Sequence, residues 1–94
     1  METQTRTLTN RLRRVLKRHF DGAEVNSLVP AGPHHRVGGV LVWSGFEGMD
    51  GPDRQRALWR TLRERLSPED LLQVSLIMTV TPTERDTMQS NSRL

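Results

Sequence analysis

No segment narrows the fold more than Val40-Leu41-Val42-Trp43, a β-branched and aromatic run of the kind that fills a central strand. It lies within a strand read over 36–44, and Gly38-Gly39 at its entry predicts a bulge or a close backbone approach. Residues 23–29 alternate loosely and read as a second strand. Val74 to Val80 reads as a third, with Val74, Leu76, Met78 and Val80 expected on one face. Pro30-Ala31-Gly32-Pro33-His34-His35, a cluster of breakers, predicts a loop between the first two strands.

The intervening stretches carry helical period. Leu8, Leu12, Val15, Leu16, His19 and Phe20 form one amphipathic stripe, with Arg14, Lys17 and Arg18 on the outer side and Asp21-Gly22 as the stop. A second helix runs from Pro52 to about Leu66. Leu58, Trp59, Leu62 and Leu66 form its apolar face, Gln55 projects onto the same side, and Arg56, Arg60 and Arg63 line the other. Ser67-Pro68-Glu69-Asp70 and Thr81-Pro82-Thr83-Glu84 both have the grammar of a helix start, and each opens a short helix. The order is therefore α-β-β-α-α-β-α. It predicts an α+β two-layer sandwich, a three-stranded sheet with helices on one face, in which the first two strands form a hairpin and the third is free to pair in parallel.

At 94 residues the chain suits one domain, read as 1–86, with 87–94 lacking an apolar period and expected to fray as a tail. The absence of Cys excludes disulfides, Cys-ligated zinc, thiol catalysis and a self-sufficient thiolate cluster. No run approaches 18 apolar residues and no signal-peptide core is present, so the expectation is a cytoplasmic protein that does not engage membranes. Thirteen Arg against one Lys, without Tyr, lift the isoelectric point to 11.0 although the net charge is only +3. Residues 1–20 hold most of the local excess: Arg6, Arg11, Arg13, Arg14, Lys17 and Arg18 face only Glu2.

Few residues offer chemistry. His34-His35 is the one imidazole pair, but two ligands without a third make no closed zinc site. His19 reads as a packing residue near a helix C-terminus. Gly45-Phe46-Glu47-Gly48 and Gly48-Met49-Asp50-Gly51 spell the nucleic-acid clamp G-x-x-G, yet Glu47 and Asp50 would repel a phosphate, and the glycines read as turn formers. Arg56, Arg60 and Arg63, with Arg14 and Lys17, could follow a phosphate backbone or simply form solvated helix surface. No exposed aromatic interleaves them, since Trp43 and Trp59 are expected in the core. Ser44 lacks an orienting acid and a nucleophile elbow, and no enzyme constellation is present.

Val42-Trp43-Ser44-Gly45-Phe46-Glu47-Gly48, the following Arg54-Gln55-Arg56 and the later Thr79-Val80-Thr81-Pro82 together resemble the BolA family. That family has a strand ending in Ser, a Phe-x-Gly turn, an Arg-His-Arg motif opening its long helix and a strand ending in Thr-x-Thr-Pro. The resemblance spans roughly residues 8–85 in order, one residue shorter between Ser44 and Phe46. It implies a type II KH-like topology and a small non-enzymatic protein that partners a monothiol glutaredoxin around a shared [2Fe–2S] cluster. Roles in iron–sulfur trafficking or in iron and stress regulation follow, and some members are described as transcriptional regulators.

Two departures from the pattern fall on the family's histidines. The strand histidine, its principal metal-ligand position, falls on Gln73, and the helix histidine falls on Gln55. A glutamine amide oxygen is a hard neutral donor, poorly matched to cluster iron. The family's second ligand position, in the loop between the first two strands, could be met by His34 or His35 in a site completed by a partner. The resulting expectation is an adaptor with weakened or lost cluster ligation, touching its partner through Gln73, Arg54 and Gln55, monomeric or weakly homodimeric, and binding no cofactor alone. The alternative is a DNA-binding regulator using the Arg face of helix 52–66.

Overall fold

The computed structural model describes residues 2–31 and 36–91. Leu8, Leu12, Leu16 and Phe20 are all buried, which is why α1 (Glu2–His19) lies flat on the core along that stripe. The helix stops at Gly22, whose φ of +80° is the left-handed conformation that glycine reaches without a Cβ penalty.

β1 (Glu24–Ala31) then pairs antiparallel with β2 (Arg36–Val42), from Glu24 opposite Val42 to Ala31 opposite Arg36. The first strand runs past residue 29 and through Pro30, where a loop was expected. β1 is an edge strand in the order β1-β2-β3, and an edge tolerates a residue without an N–H. A 3-10 turn (Ser44–Phe46) leads to α2 (Gly51–Arg65), capped by Asp50 accepting the Asp53 N–H at 2.9 Å, and to α3 (Pro68–Leu72), capped by Ser67 accepting the Asp70 N–H. β3 (Val74–Val80) returns parallel to β2, which the helical excursion before it makes possible.

Both neighbours of β2 carry one extra residue opposite Gly38-Gly39. On β1 the register shifts between Asn26 and Val29, and on β3 between Val74 and Ile77. The glycines thus mark a double irregularity, carried by the flanking strands rather than by their own. The shift on β3 overturns the expected face. Val74 enters the core, but beyond the extra residue Ile77 points inward, and Leu76 and Met78 are 64% and 41% exposed on the opposite side.

The core lies on one face of the sheet. Val37 and Leu41 of β2 and Ile77 of β3 pack against α1 and against Leu58, Leu62 and Leu66. Against this core Trp43 packs half-buried, meeting Phe20 and Phe46 edge-on, both at 5.1 Å between centroids, while its Nε1 donates to the Asp21 carbonyl at 2.9 Å. α4 (Pro82–Asn91) instead reaches the other face, where Arg85 forms an ion pair with Glu24, the partner of Val42 in the ladder. It continues through 87–91, correcting the expected tail over that stretch. Thr81 and Glu84 cap each other's backbone N–H groups at 3.2 and 2.8 Å, which starts the helix firmly, and no Gly or Pro follows to stop it.

Candidate functional site

The Arg54-Gln55-Arg56 motif sits in the first turns of α2, beside the end of β3. Arg54 is only 12% exposed. Its Nε donates to the Met49 carbonyl at 2.9 Å, and its Nη1 donates to the Thr79 carbonyl at 3.2 Å and to Glu84 at 2.6 Å. Gln55 Nε2 donates to the Ile77 carbonyl at 2.9 Å and to Thr79 Oγ1 at 3.2 Å, and its Oε1 accepts the Trp59 indole N–H at 3.1 Å. The carbonyls of Ile77 and Thr79 lie on the side of β3 away from β2, since it is Val80 whose carbonyl accepts the Trp43 N–H of the neighbouring chain segment. Two side chains of α2 therefore block the open edge of the sheet.

Arg54 and Gln55, expected at a partner surface, are half-buried and make these bonds within the fold. The carboxylate of Glu84 is drawn down to about 2 by its bond to Arg54 and by the Thr81 backbone N–H, and the same bond raises the Arg54 guanidinium further.

Gln73 has a different setting. It is the exposed C-cap of α3, and its carbonyl accepts the N–H of Val37 at 2.7 Å. It therefore stands at the end of the sheet where Ala31 and Arg36 bracket the 32–35 connection. His34 and His35 lie outside the described residues.

Beside Gln73, Leu72 is 70% exposed while Leu71 packs against the core. The sequence reading passed over Leu72. The available signal is that a helix as short as α3 turns only one of two adjacent leucines inward. The donor chemistry here does not fit a self-contained cluster: Gln73 offers an amide, and no group of three His, Cys, Asp or Glu side chains able to hold a metal occurs among the described residues.

The arginine stripe is thinner than expected. Arg56 pairs with Asp53 on its own helix. Arg60, Arg63, Arg14 and Lys17 are exposed, with no ion pair among the described residues. Trp43 and Trp59 are half-buried against the core, so neither offers a face for a base. Gly48 takes φ +82° in the turn after Phe46, the conformational role expected for it.

A helix, a hairpin, two helices, a parallel return strand and a capped last helix define the BolA-like fold, and this protein has it. The solved structure of BolA1 from Arabidopsis thaliana is similar, with a TM-score of 0.53 over 82% of this chain and 94% of that one, at 24% identity. No family model matches the sequence, and no curated protein matches it. Among the described residues no helix is long and apolar enough to cross a membrane.

Proposed function

We propose that this protein is a non-enzymatic BolA-like adaptor that docks a monothiol glutaredoxin in the cytoplasm and serves iron–sulfur trafficking or iron and stress regulation. The observation that carries the reading is the exposed Leu72-Gln73 pair at the α3 C-terminus, hydrogen-bonded to the strand that follows the 32–35 connection. An exposed leucine beside a free amide is a contact surface for a protein, with an apolar anchor and polar partners at its rim. Gln73 removes the imidazole that would best hold a cluster, so contact replaces ligation as the source of affinity, and any [2Fe–2S] group belongs to the partner with His34 or His35 as this chain's sole donor.

The test is to mix the protein with its own organism's monothiol glutaredoxin under cluster-reconstituting conditions. The expected result is an earlier elution volume for the mixture. An unchanged elution volume together with unchanged cluster absorption rejects the reading.

A second reading, DNA binding, is favoured by one observation. Helices α1 and α2 together hold eleven basic and three acidic residues, while the rest of the chain holds three basic and eight acidic ones. Both helices cover the same face of the sheet, so the cations share one side of the molecule. Its signature is DNA retention that falls steeply with salt and is lost on charge reversal at Arg60 and Arg63.

A further inference from the structure

Among the described residues, the face of the sheet opposite the core carries an exposed apolar patch on the part that α4 does not cover. Val29, Val40, Leu76 and Met78 lie on it, with Val29 at 53% exposure. We propose that two copies of this chain pair through this face about a two-fold axis, with their strands antiparallel across the interface.

The shape of the face supports a second copy. At one end, α4 stands over the sheet: Arg85 is paired with Glu24, and the outward-facing Val42 and Val80 are buried although they lie outside the main core. At the other end, Leu76 is uncovered. A raised end and a bare end on one surface complement each other when the surface meets its own copy reversed, as an isologous contact requires.

Charge selects the same arrangement. Arg36, which by its place in the ladder next to the inward Val37 belongs to the outer face, marks the bare end and has no ion pair among the described residues. The raised end holds Glu24 and Asp86 around the single cation Arg85, leaving one negative charge in excess. Two in-plane two-fold axes pack this face on its copy with the strands aligned. An axis along the strands sets Arg36 beside its own copy, which is repulsive. An axis across the strands sets Arg36 opposite the carboxylates of Glu24 and Asp86, which is attractive.

The face spans three strands at about 4.8 Å spacing and a seven-residue β2 at about 3.3 Å per residue, roughly 14 by 20 Å. That footprint, about 280 Å² per copy, is well below the roughly 800 Å² per partner of a standard interface, so the dimer is weak, concentration-dependent and reliant on its ion pairs.

Sedimentation equilibrium from low to high micromolar concentration tests the pairing. The expected result is a shift from monomer to dimer mass across that range. Leu76→Glu should weaken dimerisation more than tenfold with an unchanged far-ultraviolet dichroism spectrum, because an exposed side chain leaves the fold intact. Arg36→Glu and Asp86→Arg should each weaken self-association, and an equimolar mixture of the two should recover it, since both ion pairs re-form across the mixed dimer. A monomer mass throughout, a dimer indifferent to Leu76→Glu, or a mixture no tighter than its components would overturn the proposal.

Discussion

Gly45 shows how closely one residue can be constrained without any unusual backbone angle. A Cβ placed there would lie 2.6 Å from Cε2 of Trp43 and nearer still to the outer carbons of the same ring. That ring is fixed by two edge-on aromatic neighbours and by its bond to the Asp21 carbonyl, so it has little room to yield. Gly45→Ala is therefore expected to cost about 1–3 kcal/mol, measured as a lower urea midpoint at unchanged slope. An alanine variant as stable as the parent would show that the indole moves freely. This constraint was not legible in the sequence, where Gly45 reads only as a turn former. The clash arises from the side chain of a residue two positions earlier, folded back by partners elsewhere in the chain. The placement of Gln55 on the apolar side of α2 was legible from helical spacing, but its bonds to Ile77, Thr79 and Trp59 depend on where β3 returns.

Local grammar was read correctly at the helix starts, where the determinants lie within a few residues of each other. The Ser67 cap and the reciprocal Thr81–Glu84 cap both form as their spacing predicts. The register of β3 was not legible. Alternation placed Val74, Leu76, Met78 and Val80 together, and one extra residue opposite Gly38-Gly39 divided them between two faces. The capping carboxylate of α4 also carries a pH dependence. Glu84 is held at about 2 in the fold, well below its ordinary value, so its contribution is complete above the usual carboxylate range and is lost as the pH falls toward that value. Thermal melts between about pH 5 and pH 2 should show the parent losing stability faster than Glu84→Gln, with the two curves converging at the acid end. Parallel curves would mean that the Arg54–Glu84 pair contributes no pH-dependent stability.

Across the whole protein, the sheet separates two surfaces of different character. One side carries the cationic outer faces of α1 and α2, and the other carries the apolar strand residues and the polar α4. The Leu72-Gln73 end joins neither helix stripe, which gives the docking reading a location of its own. Calorimetric titration of monothiol glutaredoxin into the parent protein, Leu72→Asp and the Arg60→Glu/Arg63→Glu double variant separates these surfaces. The expected result is binding by the parent, at least tenfold weaker binding by Leu72→Asp, and an unaltered affinity for the double variant. Absence of heat with every protein, or affinity lost with the arginines and untouched at Leu72, would contradict it.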